Sequence, residues 1–566
     1  MSTHARPLAE WLAAASDDEL SALFAARGVR ADAAWQDFFD AAEALLEPGS
    51  LSRVLTTLTA AEAEALRRAA GGDDPGERRG MLASLGLLLP DGTVPPPVAS
   101  ALAGRPPAES RDAVEPPPSG DDASAHAAER AFTTVAALAD LMLVTKERPL
   151  TLLAGGAVSA GEKRLLAEAG LVVDAVDLLV ALAIDAGLAV TEERRLRTTS
   201  GAEEWLRAPV GPRWSALVTG LRAALPRGIR DGDGWTPPSS WAGAHPWDPA
   251  WPERCAGLLE RARLLGLIAD DGSEPAWARP LRAGGPADPA PLTALLPAEV
   301  DRIFLQNDLT AIAPGPLAPA LDVRLRTMAA RESAAQASSY RFTAESVAHA
   351  LVAGETEQSM LDFLEGISLT GIPQPLRYLV GHTAQRHGLV RVSVDGETGR
   401  TRIESVDDHL LAAISVDQAL RPLALTKHVG SLTTRVGRDT VYWALTDARY
   451  PATLVAEDGT VLTGERHPVA DPVPVAPADH RPLIAALRAH QGPDADAAWL
   501  DRELEAAVRA KAVLRVTVGM PDGSTRELLL EATGLGGGRL RGRDRAADVE
   551  RTLPVSSIRS ATIVAT

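Results

Sequence analysis

Two short stretches hold residue types that could do chemistry. In Phe304 to Leu317, FLQNDLTAIAPGPL, an Asn-Asp pair interrupts an apolar run that stops at Pro-Gly-Pro. Such a pair could belong to a catalytic carboxyl site, contact a nucleic acid, or shape the way into a buried strand. Catalysis would need a second carboxylate, a metal-ligand set or a nucleophile, and none can be assigned beside Asn307 and Asp308. Both residue types favour hydrogen bonds from the side chain to nearby backbone, so a turn is the expectation.

The other stretch is RLRGR, Arg539 to Arg543. Arg539 and Arg541 alternate with Leu540, and Arg543 keeps the parity, so all three project from one face of a strand. Guanidinia in that arrangement can contact phosphates. The competing reading is a solvated face paired with Asp544, Asp548 and Glu550. Arg526 and Arg551 on neighbouring predicted strands complete this candidate set. A second basic group lies upstream: Lys163 and Arg164 near a helix start, then Arg194, Arg195 and Arg197 around a hairpin, with Glu192 and Glu193 beside them.

Enzyme signatures are missing from the sequence. No GxSxG, HExxH, CxxC or dinucleotide-binding strand–turn–helix string occurs. GLGGGRLRG (534–542) falls between strands with no helix after it, so it reads as a hairpin. His382 and His387 are five apart on one predicted helix, which gives poor shared facing for a metal, and His387 near the helix end would favour the dipole as a cation. Cys255, the only cysteine, rules out an internal disulfide and fits a buried small residue in a reducing cytosol. Trp235, Trp241, Trp247 and Trp251 could stack bases, but staple a loop to a core more simply. No metal, cofactor or catalytic residue is expected.

These residues must be positioned by several domains, because 566 residues exceed what one core supports. Aromatics are only 4% of the chain, so the cores rest on Ala, Leu and Val. The N-terminus carries no apolar signal stretch and no apolar run of spanning length appears, so a cytoplasmic protein without a membrane span is expected. The net charge of −18 argues against non-specific coating of DNA by the whole molecule. It is unevenly spread: residues 1–122 hold 10 Arg against 20 Asp and Glu, whereas 511–566 hold 9 Lys and Arg against 6 Asp and Glu.

Pro, Ser and charge mark 105–127 as a mobile linker, and Pro spacing marks 466–482 as an extended one. A softer boundary lies near Arg282–Leu292. Between them one pattern recurs: an apolar helix, Gly-Leu, a short apolar strand and a polar turn. It stands at Leu82–Val94, Ala183–Thr199 and Arg261–Trp277. Glycine ends a helix where φ must be positive, and Asp-Gly favours a hairpin. Helix followed by a two-stranded wing reads as a winged-helix unit, so 1–104 and 128–290 are read as winged-helix-like, the second span holding one unit or more. The acidic first unit suits protein contact better than DNA.

From Leu296 the words change: LQNDLTAIAPGPL, SYRFT, the helix DFLEGIS, then IPQPLRYLVGHTAQRHGLVRV. In this order they resemble the N-terminal domain of XPB-type helicases and of actinobacterial helicase-associated proteins, over about 296–465. An XPB helicase also needs a phosphate loop. The nearest string, GGAVSAGEKR (155–164), has Glu162 after its second glycine and Arg164 after Lys163, so the motor motif is absent. In eukaryotic TFIIH the XPB N-terminal region pairs with a related domain on a smaller subunit built from winged-helix repeats. That likeness implies an adaptor. Residues 483–566, a helix and then alternating strands with Gly-rich turns, look like the small closed SH3-type β-barrel of WYL domains, which are associated with nucleic-acid or nucleotide sensing.

The sequence therefore leads to a multidomain α+β chain: helical and winged-helix units, a central α+β domain and a small C-terminal β-barrel. The expected role is a non-enzymatic accessory protein that binds an XPB-like helicase, and DNA, in repair or transcription. A stand-alone DNA-binding transcriptional regulator is the alternative.

Overall fold

Capping residues set the first hundred positions. Ser16 with Glu19, and Thr59 with Glu62, form reciprocal capping boxes that open two helices. In the computed structural model seven α-helices lie between Arg6 and Leu102. The residues described are 5–108, 113–171, 173–334, 337–462, 464, 466–470, 478–491, 495–520 and 523–564. The helices bury Leu8, Leu12, Leu20, Phe24, Phe38 and Phe39 in one core.

The wing expected in this first unit does not form, and no strand lies among its described residues. Leu89 N–H donates to Thr93 O at 2.9 Å, which closes a turn at Asp91-Gly92, but Pro95, Pro96 and Pro97 follow. Proline has no N–H to extend a ladder. Leu87 and Leu88 are buried among the helices instead. The third copy of the pattern also makes no ladder, for a different reason. Ala269 N–H donates to Ser273 O across the turn, and Glu274 then bridges to Pro118, from the segment expected to be a free linker.

Only the middle copy makes a ladder. Helix α1 (Asp121–Glu147) begins inside the expected linker and leads to β1 (Leu150–Thr151). Next come α2 (Ala160–Glu168), α3 (Val176–Asp185) and the hairpin β2 (Ala189–Glu192) and β3 (Arg195–Thr198), with strand order β1-β3-β2. Two further helices, α4 (Val210–Ala224) and α5 (Trp251–Leu264), pack on α1 and α3. Gly220 lets α4 approach closely: a Cβ there would lie 2.6 Å from Asp185 O at the end of α3. The Trp235, Trp241, Trp247 and Trp251 cluster is buried, so these rings present no stacking surface.

The central region has two sheets. The first contains β4 (Phe304–Leu305), β5 (Thr310–Ala313), β6 (Ala330–Ala334) and β7 (Ser338–Arg341) in the order β4-β5-β7-β6. Helices α6 (Pro319–Met328), α7 (Ala344–Val352), α8 (Glu357–Ile367) and α9 (Gln374–Arg386) surround it. Met360, Phe363, Leu364 and Ile367 line the buried face of α8. The second sheet contains β8 (Val390–Val394), β9 (Thr401–Ser405), β10 (Thr426–His428), β11 (Ser431–Thr434), β12 (Ala452–Val455) and β13 (Val461–Leu462). Its order is β10-β11-β9-β8-β12-β13, antiparallel except for the parallel pair β8 and β12. Helix α10 (Arg438–Asp447) feeds β12.

A cluster of charge fixes this region to the preceding unit. Asp140 on α1 accepts from Arg326 of α6 at 2.6 Å and from Arg331 of β6. Tyr340 donates to Asp322 at 2.6 Å in the same cluster.

The chain then returns to its start. Residues 471–477 of the second expected linker lie outside the described residues. From His480, helices α11 (Arg481–Ala489) and α12 (Ala495–Ala510) pack on the N-terminal helices. Leu483, Ile484, Leu487 and Trp499 enter the same core as Phe38 and Phe39. Leu500, Leu504 and Ala507 of α12 face the C-terminal sheet.

That sheet contains β14 (Val513–Gly519), β15 (Thr525–Gly536), β16 (Arg539–Asp544), β17 (Val549–Pro554) and β18 (Ile558–Ile563), in the order β17-β16-β15-β14-β18. A closed barrel was the expectation. Among the described residues no ladder joins β17 to β18, so the five strands form an open antiparallel sheet.

Candidate nucleic-acid interface

The Asn-Asp pair sits in the β4–β5 turn. Gln306 N–H donates to Thr310 O at 2.9 Å, and Leu309 takes φ +66°. The Asp308 carboxylate accepts from Thr310 N–H at 3.2 Å and from the Thr310 hydroxyl at 2.5 Å, which holds its pKa below the usual carboxylate range. Its job is local, as the residue types implied. Asp308 spends its lone pairs on its own turn.

The C-terminal arginines divide between two faces. Along β16, Arg539, Arg541 and Arg543 are exposed while Leu540, Gly542 and Asp544 are buried. Arg541 lies opposite Gly534 and Thr552, and Arg539 opposite Gly536 and Pro554. Every cross-strand neighbour of these two is therefore uncharged. Arg543 differs: it lies opposite Glu531 and Glu550 and pairs with Asp548 at 2.7 Å, which raises its pKa further. Hairpin geometry gives the stripe its open side. Gly537 and Gly538 both have positive φ, the requirement of a two-residue type I′ turn, so the Gly-rich run is a hairpin loop and cradles no phosphate at a helix.

Arg526 and Arg551 do not join this stripe. Arg526 pairs in register with buried Val518, and Arg551 with Gly542, which puts both on the opposite parity. Arg551 is committed to buried Asp544 at 2.6 Å, and that bond holds the Asp544 pKa down. Grouping five arginines by sequence proximity mixed two faces of one sheet.

The upstream group is also divided. Lys163 pairs with Asp177 of α3 at 2.7 Å, while Arg164 is exposed on α2. Glu193 and Arg194 form the tip of the β2–β3 hairpin with φ +47° and +63°. Left-handed backbone at non-glycine residues costs on the order of 1–3 kcal/mol each. Arg194 is exposed, with its Nε donating to Leu152 O at 3.3 Å. Arg195 and Arg197 leave the strand on the outer face, with Leu196 and Thr198 buried between and beyond them.

Helix α3 precedes the β2–β3 hairpin. It is covered by α1, α4 and α5. Its acidic residues are engaged as well, Asp177 with Lys163 and Asp185 with Arg261. Its buried face is Val176, Leu179, Val180, Leu182 and Ala183, while Ile184 is exposed.

Two residues that the sequence did not single out stand beside the hairpin: Arg466 and His467. The connector 466–470 crosses β3, with Arg197 Nη2 donating to Pro468 O at 2.6 Å and Ala470 N–H to Thr198 O at 2.9 Å. Nothing local in the sequence pairs positions some 270 apart.

No metal site emerges from the histidines. His382 stacks on exposed Tyr378 at 5.7 Å, whereas His387 caps α9 and burial pushes its pKa down. Burial thus favours neutral imidazole at His387, not the cation expected for a helix end. Among the described residues no group of three or more His, Cys, Asp or Glu side chains is placed to hold a metal ion. No helix among them is long and apolar enough to cross a membrane.

The family model described as helicase conserved C-terminal domain matches residues 303–428. The match opens one residue before β4 and the Asn-Asp turn, spans the whole first sheet and ends at the last residue of β10 in the second. No curated protein matches the chain.

Proposed function

We propose that the chain is a non-enzymatic accessory protein that engages a DNA helicase of the XPB type, in DNA repair or transcription, and contacts DNA. The carrying observation is the helicase-type match over 303–428 in a sequence that lacks the GK[ST] phosphate loop a motor needs. The string nearest that loop supports the reading. Lys163 follows Ser159, the side-chain cap of α2, and is spent on Asp177.

The order helix, strand, helix, helix, hairpin over 121–198 supports a winged-helix reading of that unit. The strand order of 513–563, with a single 3₁₀ turn (Val555–Ser557) before the last strand, supports an SH3-type relation for the C-terminal sheet. The uncharged surroundings of Arg539 and Arg541 favour that sheet as a DNA contact. A stand-alone regulator would read sequence through α3, and the two acidic residues on that helix, Asp177 and Asp185, weigh against a phosphate-lined groove there.

The test is a pull-down of the host's XPB-like helicase with the full chain, joined to helicase ATPase measurements with and without it. Association with a changed ATPase rate is the expected result. No association and an unchanged rate would remove the proposal.

A further inference from the structure

Four basic side chains from separate parts of the chain converge on the outer face of the β2–β3 hairpin. Arg195 and Arg197 come from β3, and Arg466 and His467 from the connector that crosses it. Arg197 gives one nitrogen to Glu192 at 2.7 Å and another to Pro468 O. Arg466 is held twice by Asp447 of α10, at 2.8 and 2.6 Å, with its guanidinium 5.5 Å from the Trp443 ring centre. These bonds fix the two guanidinia and the path of the connector. Arg195 is exposed; Glu192 lies across the ladder from it but hands its carboxylate to Arg197.

His467 senses the result. Burial lowers its pKa, and Arg466, Arg195 and Arg197 lower it further, with no carboxylate among the contributing groups. In a chain of net charge −18, such a concentration of cations around a half-buried imidazole runs against the general field. Repulsion of this kind is relieved by an anion. Of the nearby carboxylates, Glu192 is taken up by Arg197 and Asp447 by Arg466, while Glu193 at the hairpin tip is exposed.

We propose that the hairpin and the connector together form a binding site for the phosphodiester backbone of a nucleic acid, with Arg195 and His467 as its phosphate-contacting groups. Arg197 and Arg466 supply field and position. The site lies on an open hairpin face, whereas small-molecule ligands are bound in concave pockets that cover most of their surface. An exposed guanidinium beside an imidazole that gains a proton as an anion approaches suits a polyanion that passes across the face, read by backbone and not by sequence. The site is separate from the β16 arginines and does not depend on a helicase partner.

Anisotropy of fluorescein-labelled single- and double-stranded 20-mers with the full chain tests this, across a salt series and at about pH 6 and pH 8. Neutral His467 becomes cationic as pH falls, and a phosphate favours that form, so binding should tighten toward pH 6. Arg195→Glu should weaken binding about tenfold and reduce the salt slope by about one to two. His467→Gln should match the parent at pH 8 and lose the gain at pH 6. Circular dichroism and helicase pull-down of each variant report folding and the partner reading separately. Unchanged affinity, salt slope and pH response in both variants would overturn the proposal, as would no binding of either 20-mer by the parent at low salt. Loss of helicase binding alone would leave it standing.

Discussion

Glu503 and Arg6, 497 positions apart, meet at 3.3 Å where α12 crosses the first helix of the chain. Nearby, Arg502 pairs with Asp40 at 2.7 Å, and Arg488 of α11 reaches Asp17 at 3.1 Å. The acidic N-terminal unit is therefore completed by two helices from the other end of the protein. The C-terminal sheet is carried on the opposite side of one of them.

This contact should depend on pH. Burial pushes the Glu503 carboxyl up to about 7, with Arg6 pulling the other way and Glu10 adding to the rise. A carboxyl raised in the folded state contributes stability fully below its unfolded pKa, and that contribution is lost as pH rises through about 7. Thermal unfolding followed between pH 5 and pH 8 should show the loss, on the order of 1–3 kcal/mol. Glu503→Gln should flatten it. An unaltered pH profile in the variant would contradict the assignment.

The shared core makes a stronger prediction. A fragment spanning 1–108 leaves uncovered the apolar surface that Leu487 and Trp499 occupy. Adding a peptide spanning 478–510 should raise the fragment's melting temperature by several degrees through mass action. Trp499→Ala in the peptide should abolish the rise, because truncating a buried Trp costs about 3–5 kcal/mol. Equal melting with and without the peptide would count against the docking.

Asp140 is the common acceptor of Arg326 and Arg331 between α1 and the first central sheet. Asp140→Ala removes the common acceptor of two largely buried guanidinia and leaves Arg326 only the longer pair with Asp322 at 3.7 Å. The expected loss is about 2–4 kcal/mol in denaturant unfolding. Glu332→Ala, whose exposed pair with Arg341 lies close by, should cost under about 1 kcal/mol. Similar losses in the two variants would show that the Asp140 cluster does not join the units.

Parity separates the C-terminal arginines. The double variant Arg539→Glu and Arg541→Glu should weaken oligonucleotide binding and lower the salt slope by about two. Arg526→Glu on the other face should leave both nearly unchanged. Arg551→Ala should instead reduce stability by exposing buried Asp544 without its partner. Equal binding by all three would assign the stripe to a solvated surface.

Glycine 220 sits where α4 touches the end of α3. Gly220→Ala would press a methyl against Asp185 and Ala186 backbone and should cost about 1–3 kcal/mol in unfolding experiments. A neutral result would show that α3 can shift away from its cover.

Local pattern in the sequence was enough for features that one element decides alone. Period-two alternation placed Leu540 inward and Arg539, Arg541 and Arg543 outward. Helical spacing gave α8 its buried face, and the short polar side chains of Asn307 and Asp308 marked a turn. The ordered words from Leu296 onward pointed to a helicase-related segment, which the match at 303–428 also marks.

Tertiary structure decided whatever needed two distant segments or a competition between neighbours. Gly-Leu followed by a polar turn reads the same at Leu82, Ala183 and Arg261, yet a ladder needs free N–H groups on both arms. Prolines at 95–97 remove them in the first copy, and the bridge from Pro118 takes up Glu274 in the third. Likewise a stripe of basic residues carries no record of its partners. Asp544 claims Arg551, Asp177 claims Lys163, and a connector some 270 positions away places Arg466 and His467 beside Arg195. Side-chain direction is set by the backbone of one strand, but charge is balanced by whatever the folded chain brings within a few ångströms.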